Sequence, residues 1–411
     1  MSAWRYQSSV VTGFFARAGV QALVFFLVAK SLGVESFGQF TAAVALAGLC
    51  SPLALAGVDQ FLLSRLSQDD TALDWLFGLH VTAFLYMVPI VLLIGYLLSL
   101  LSIFDGLHTG YFLLVFFAEC LLVRVNELFG RIVQVRGDFL GVVGPRIGLA
   151  CTRLAACGCW VLAAPTVAVG WWLGYFLATV LWVAIMFSIV VQRYCVSPSR
   201  QRIGYAELKE MLPFAFSGWS DRARTEIDKP LLASFGNNAE LGIYAVASRI
   251  VEFLSMPLLA LISVMQPAWM SRSARGERTV AAGERRVLFA LAAALALVGC
   301  GLIVFGDLIP RFFGDEYVRV TELLPLMLLI PVLVVSRTVV VSVLYARQQQ
   351  RSAALLYALA LAAAVIVGVC FVPAWGAWAS VAGALTGELL VVIGGATVLS
   401  KRRAVTARSV E

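Results

Sequence analysis

Histidine is almost missing from this chain, charge is scarce and the predicted connecting segments are short. Only two histidines occur in 411 residues, which leaves too few imidazoles for a histidine-based catalytic or zinc site. Charged residues make up 13% of the chain, against about 25% in an average soluble domain. An aqueous fold cannot bury so large an apolar excess, so the solvent for much of this surface is lipid. Alternating segments of about ten residues, the mark of a membrane β-barrel, are absent. No small-residue cleavage site follows the first apolar stretch, and Arg17 interrupts that stretch. The first helix is therefore expected to remain as a membrane span. Seven of the eight cysteines fall inside apolar runs and Cys195 at the edge of one. They read as small hydrophobes, and the lone C-x-C of Cys157 and Cys159 has no second pair to complete a metal site.

Long apolar runs fill the chain instead: 61% of residues are hydrophobic and mean hydropathy is +0.90. A helix needs about 20 residues to cross the hydrocarbon of a bilayer. The runs predict twelve spans, near 11–32, 38–64, 75–102, 109–134, 140–163, 168–192, 211–234, 240–271, 286–305, 321–345, 353–372 and 377–399. Basic residues then set the orientation. With the N-terminus inside, the inner segments carry Arg65, Arg136, Arg193, Arg200, Arg202, Lys209, a basic group from Arg272 to Arg286, Arg347, Arg351 and the tail Lys401, Arg402, Arg403 and Arg408. The short outer segments carry none except 306–320, where Arg311 and Arg319 are offset by Asp307, Asp315 and Glu316. Both termini are thus expected on the cytoplasmic side of a bacterial inner membrane. The net charge of +7 is explained by this topology, and no nucleic-acid partner is needed. No outer segment is long enough for the folded outer loop that a glycan-building membrane enzyme generally uses, so the chain is not expected to be an enzyme.

The chain also reads as duplicated. Leu32-Gly33 and Phe37-Gly38-Gln39-Phe40 are followed by Pro52-Leu53-Ala54-Leu55, and Phe235-Gly236 with Leu241-Gly242-Ile243-Tyr244 are followed by Pro257-Leu258-Leu259-Ala260. Gly38 and Gly242 are expected near the turn into the second helix of each half. The expected architecture is all-α, with a six-helix lobe over 1–200, a second over 201–411 ending in a basic cytoplasmic tail, and a pseudo-two-fold along the membrane normal. Two such lobes suit alternating access better than a fixed pore.

Ionisable groups inside the spans are costly and normally face a cavity or a partner. Arg17 stands in the first span. Arg124, Glu127 and Arg131 share one face of the fourth, with Glu119 and Asn126 off that stripe, and Arg146 and Arg153 share a face of the fifth. The seventh is the densest: Asp221, Arg224 and Asp228 form one stripe, and Arg222, Glu226 and Lys229 the next. Arg249 and Glu252 follow in the eighth, Arg337 in the tenth and Glu388 in the twelfth. Opposite charges here either lock helices together or line a wet cavity. In the second case Arg17, Arg124, Arg153, Arg224 and Arg249 bind an anion, because guanidinium grips phosphate bidentately. Glu127, Asp221, Asp228, Glu252 and Glu388 then balance charge or exchange a coupling Na+ or H+. No cofactor is expected.

Leu212-Pro213-Phe214, Asp228-Lys229-Pro230-Leu231-Leu232, Phe235-Gly236, Glu240-Leu241-Gly242-Ile243-Tyr244 and Ala247-Ser248-Arg249-Ile250, with the opening Leu32-Gly33 and Phe37-Gly38-Gln39-Phe40, resemble the Wzx-type oligosaccharide flippases. These belong to the multidrug/oligosaccharidyl-lipid/polysaccharide exporter (MOP) superfamily. The resemblance implies twelve helices in a MATE/MurJ-like fold. It implies movement of a polyprenyl-pyrophosphate-linked repeat unit from the cytoplasmic to the periplasmic leaflet, for O-antigen, capsule or exopolysaccharide. Membrane lipids, a polysaccharide polymerase and a chain-length regulator are the partners it implies. Arg17 and Arg249 match in kind the lumen arginines of such proteins. Asp59 and the sparse polarity of the eleventh span depart from the pattern, and the latter weighs against a sodium site there. The competing readings are a cation-coupled multidrug exporter of the same superfamily, a lipid II-type flippase and, further off, a membrane glycan polymerase.

Overall fold

The computed structural model describes residues 3–54, 73–104, 107–135, 139–163, 168–194, 205–274, 282–304, 306, 308–347 and 349–408. Asp59 lies outside them. Among the described residues the regular structure is helical and no strand occurs. Eleven of the twelve predicted spans coincide with a helix or with two abutting helices, and the second does so over 38–54, the rest of its predicted range lying outside the described residues. In chain order these are α1 (Ala3–Leu32), α2 (Val34–Ala54), α3 (Leu73–Ser99), α4 (Thr109–Phe117), α5 (Val123–Val135), α6 (Phe139–Ala163), α7 (Ala168–Tyr194) and α8 (Tyr205–Glu226). They continue with α9 (Asp228–Phe235), α10 (Asn238–Ala274), α11 (Ala282–Val304), α12 (Leu308–Phe313), α13 (Val320–Met327), α14 (Leu329–Ala346), α15 (Gln350–Trp375) and α16 (Ala377–Arg408). Seven of them are long and apolar enough to cross a membrane by length and composition, and the pair Asp315–Met327 and Leu329–Tyr345, bent by 43°, forms an eighth. Side chains such as Leu162, 89% exposed, and Leu93, 59% exposed, present the apolar outer surface that lipid requires. The protein is a multi-pass membrane protein.

Three spans are interrupted where the sequence reads as continuous. A π turn at Ala118–Leu122 joins α4 to α5. Ile227 separates α8 from α9, and Leu328 separates α13 from α14. The expected role of two glycines also changes. Gly38 and Gly242 are buried one turn inside α2 and α10, where a missing side chain permits close packing. The tight turn into α2 is made by Gly33, whose φ of 74° is costly for any residue with a Cβ.

The chain forms two compact units, Met1–Glu226 and Ile227–Glu411. In the first, α6 packs against α1 and α7, and α2 packs against α8 and the π turn. Helix α8 therefore belongs with the residues that precede it. Phe77, Leu79, Ala83, Leu128, Phe129, Ile132, Met186, Val190 and Met211 form a buried core, and Phe40 meets the rings of Trp171, Trp172 and Tyr175 edge-on. In the second unit, α15 packs along α16, α10 against α13 and α14, and α9 against α15. Gly383 and Gly387 bring α16 close to the Ala364 and Ala360 carbonyls of α15, where an added Cβ would sit 3.6 and 3.5 Å away. Close approach through small residues is the usual basis of helix association in lipid, where helices gain little from hydrophobicity.

One packing detail fixes the fifth span. Trp182 of α7 donates through its indole N–H to the Pro145 carbonyl at 2.8 Å and to Asn126 Oδ1 at 3.1 Å. Asn126 Nδ2 donates to the same carbonyl at 3.1 Å. The indole lies directly over Gly148, so that any Cβ there would collide with it. Gly148→Ala is expected to destabilise the protein by about 1–3 kcal/mol through overpacking. The midpoint of thermal unfolding in detergent measures this, and an unchanged midpoint would count against this account of the packing.

Candidate functional site

The first unit gathers most of the intramembrane charge. Arg124 at the start of α5 donates to Glu127 Oε2 at 2.7 Å, and through Nε and a second guanidinium nitrogen to Ser51 Oγ of α2 at 3.2 and 2.8 Å. Ser51 in turn donates to the Gly48 carbonyl. On α8, Arg222 pairs with Glu226 at 3.3 Å and lies against Gly48, where an added Cβ would stand 3.4 Å from its Nε. The bare surface of α2 at Gly48 and Ser51 thus accommodates two ion pairs, one from α5 and one from α8.

A third pair bridges separate spans. Arg153 of α6 donates to Glu119 Oε1 at 2.7 Å and to Thr179 Oγ1 at 3.0 and 3.2 Å. Its guanidinium lies 3.9 Å from the centre of the Tyr175 ring, and the Tyr175 hydroxyl donates to the same Glu119 oxygen. Glu119 stands on the π turn, a kind of irregularity found often at functional positions. The Arg153 and Glu119 side chains are only 14% and 13% exposed.

Arg17 is different. It is partly buried on α1, and the charges acting on it are those of Arg146, Glu127, Arg153 and Arg222. Three repel it and one attracts it. Among the described residues it has no ion pair or side-chain hydrogen bond. Helix lengths place three of these arginines at a similar depth. At 1.5 Å per residue, Arg17 lies about 22 Å from the end of α1 at Leu32, Arg146 about 26 Å from the end of α6 at Ala163, and Arg124 about 22 Å from the start of α4 at Thr109. In alternating spans those three ends share one side, so the three arginines share a depth. Arg224 of α8 is partly buried, and the side chain of Asp221 lies outside the described residues.

The second unit holds pairs of its own. Asp228 opens α9, after the break at Ile227. It accepts the Tyr244 hydroxyl and the Lys229 backbone N–H. Arg249 and Glu252 pair at 2.6 Å, with side chains 41% and 42% exposed. Arg337 donates to Glu388 at 2.6 Å and to the Tyr357 hydroxyl at 3.3 Å, so Arg337 and Glu388, which stood alone in the sequence, are partners. At one end of the unit, Glu240 accepts Arg319 and the Ala377 backbone N–H. The turn glycine Gly376, at φ +52°, leaves room for it. At the other end, Glu284 accepts two bonds from Arg272 and one from Trp269.

Neither histidine is placed for chemistry. His80 is buried in the apolar core of the first unit, and His108 caps α4 by accepting the Gly110 N–H at 3.1 Å. Among the described residues no group of three metal-ligating side chains occurs.

The fold is all-helical among the described residues and multi-pass, with charge held inside its spans. Solved structures share it. The fold is that of an inward-facing multidrug-resistance MATE family transporter of the MOP superfamily (15% identity, 95% of each chain covered, TM-score 0.66). It is also that of the lipid II flippase MurJ in an inward closed conformation (13% identity, 94% of this chain and 86% of the other covered, TM-score 0.67). The MATE transporter VcmN of Vibrio cholerae in its bent form is a further match (19% identity, 99% of each chain covered, TM-score 0.57). No protein-family model matches the sequence, and no curated protein matches it.

Proposed function

We propose that the protein is a flippase that carries a polyprenyl-pyrophosphate-linked oligosaccharide from the cytoplasmic to the periplasmic leaflet by alternating access, for surface-polysaccharide synthesis. The observation that carries the reading is Arg17, a guanidinium held at the depth of other arginines without a carboxylate of its own among the described residues. A site for cationic drugs would place carboxylates there. Among the described residues of the first unit, Arg17, Arg124, Arg146, Arg153 and Arg222 set five guanidinium groups against the carboxylates Glu119, Glu127 and Glu226. That excess favours an anion, and guanidinium suits the paired oxygens of phosphate. The prenyl tail stays in lipid while the charged head group crosses. An inside-negative potential assists outward movement of an anion by about 2.3 kcal/mol per charge per 100 mV. Arg224 and Arg249 are further candidates for contact with the head group. Glu127, Asp221, Asp228, Glu252 and Glu388 remain the candidate charge-balancing or cation-coupling groups. The likeness to MurJ in fold supports a lipid-linked cargo, and the likeness to MATE transporters is compatible with drug export.

The test is complementation of a bacterium that lacks its own surface-polysaccharide flippase, with strains of several repeat-unit chemistries, scored by polymer at the cell surface. Restored polymer is the expected result. Absence of polymer in every strain, together with energy-dependent efflux of a cationic dye, would replace this reading with drug export.

A further inference from the structure

The turn between α14 and α15 in the second unit is built without a cap. Helix α14 ends at Ala346, and the Gln349 N–H returns to the Leu344 carbonyl at 2.9 Å. Helix α15 starts at Gln350, and the Ala353 N–H donates to the Gln349 carbonyl at 3.1 Å. The N–H groups of Gln350, Arg351 and Ser352 come before that bond, so the α-helical pattern offers them no acceptor. Gln349 holds the position from which a side chain caps a helix. It makes no cap hydrogen bond, and the first turn carries no acidic residue. The positive end of a 26-residue helix is left uncompensated. The Gln349 side chain is also 8% exposed, with its Oε1 buried and without a hydrogen-bond partner. An amide oxygen left this way costs free energy until a donor reaches it.

The charge around the turn is of one sign. Arg347 and Arg351 flank it, and neither has an ion pair among the described residues. Leu344, Ala353 and Leu399 pack in one core, which brings the last turns of α16 beside the turn, and Lys401, Arg402 and Arg403 follow there in the sequence. No acidic residue occurs over 341–362 or 389–408. Glu284, at the same end of the unit, is already bound to Arg272. Arg351 also begins an exposed face of α15 that continues through Leu355 and Leu359, with the small Ala354 and Ala358 beside them. That face is a shallow apolar track leading away from the arginine.

We infer that this turn binds the head group of an anionic phosphoglycerol lipid. The phosphate accepts from the uncapped N–H groups and from Arg347 and Arg351, a head-group hydroxyl donates to Gln349, and an acyl chain lies along α15. Phosphate at a helix N-terminus satisfies orphan donors and the helix dipole together, and basic pockets at the ends of membrane helices gather lipid head groups. A choline head group brings no hydroxyl, and its ammonium offsets the charge of the phosphate, so it meets neither demand. The site is independent of what cargo the protein carries.

The test uses the purified full chain in detergent, with phosphatidylglycerol and phosphatidylcholine as probes. Native mass spectrometry counts retained lipid, and the melting temperature is followed against lipid concentration. The expected result is retained phosphatidylglycerol with a saturable rise in melting temperature, and binding of phosphatidylcholine weaker by about tenfold or more. Arg351→Gln should weaken phosphatidylglycerol binding about tenfold, the loss of roughly one charge-assisted contact. Arg286→Gln, exposed at the same end of the unit on α11, should leave it unchanged. Gln349→Asp supplies the missing carboxylate from within, since aspartate at a cap position takes the free N–H groups itself and repels a phosphate. It should abolish the lipid response while the melting temperature of the lipid-free protein stays level or rises, which a folding defect would not do. If Gln349→Asp fails to fold, the exposed Arg351→Gln carries the test alone. Equal binding of the two lipids by the intact chain overturns the site. Equal weakening by Arg286→Gln and Arg351→Gln overturns it as well, in favour of a diffuse basic surface. Glycerol 3-phosphate added alone should give no response, and a response at the concentration that suffices for the lipid would overturn the lipid assignment in favour of a soluble phosphate.

Discussion

Glu119→Leu is expected to lower the thermal midpoint of the purified protein by about 3–6 °C, from a loss of about 3–5 kcal/mol. The reason is the position of the pair and the number of groups it holds. Glu119 is bound by the Arg153 guanidinium and the Tyr175 hydroxyl, and Arg153 is also bound to Thr179. Taking away the carboxylate strands a guanidinium that is only 14% exposed, and a buried charge without its partner is what makes such breaks severe. Arg153→Met should be similarly harmful. The double variant Glu119→Leu/Arg153→Met should recover much of the loss, because no buried charge is then left alone. The exposed pair Arg249 and Glu252, at 41% and 42%, provides the contrast. Removing one of its partners should shift stability by less than about 1 kcal/mol. Melting curves of these four variants measure all of this, and a Glu119→Leu midpoint equal to that of the intact chain would dismiss the lock.

The same pair shows where the sequence is readable and where it is not. Spans are local facts: about 20 apolar residues make a helix in lipid because every backbone group must be satisfied within the segment. Where the predicted ranges are described, they therefore coincide with helices. Partnerships between spans are not local. Glu119 and Arg153 lie in consecutive spans, and Arg337 and Glu388 two spans apart, so helical spacing along one span cannot pair them. Spacing also fails where the helix is irregular. The π turn at Ala118–Leu122 shifts the register between Glu119 and Arg124, so a uniform 3.6-residue period misplaces one against the other. Pairs three or four residues apart within one unbroken helix, such as Arg124 with Glu127 and Arg249 with Glu252, are legible, and the structure forms both. The packing of α1 against α6 is likewise hidden from spacing along either span.

Arg17→Glu is expected to reduce surface polymer at least a hundredfold in the complementation strain at equal expression. Two charge-assisted hydrogen bonds to a phosphoryl group, at about 1.5–3 kcal/mol each, correspond to roughly a hundredfold or more in binding. Reversal of the charge adds repulsion to that loss. Stability should move the other way or stay unchanged, because the charges of Arg146, Arg153 and Arg222, which repel the native guanidinium, would attract a carboxylate. This opposition of signs makes the variant informative: a folding defect lowers both quantities, whereas a ligand-binding arginine lowers only transport. The substitution also bears on drug export. A carboxylate at this depth would favour a cation, so an exporter of cationic dyes should retain or gain efflux in Arg17→Glu. The decisive measurement is surface polymer and dye efflux in the same cells, with the melting temperature of the purified variant beside them. Full polymer with Glu at position 17 would remove Arg17 from the substrate path.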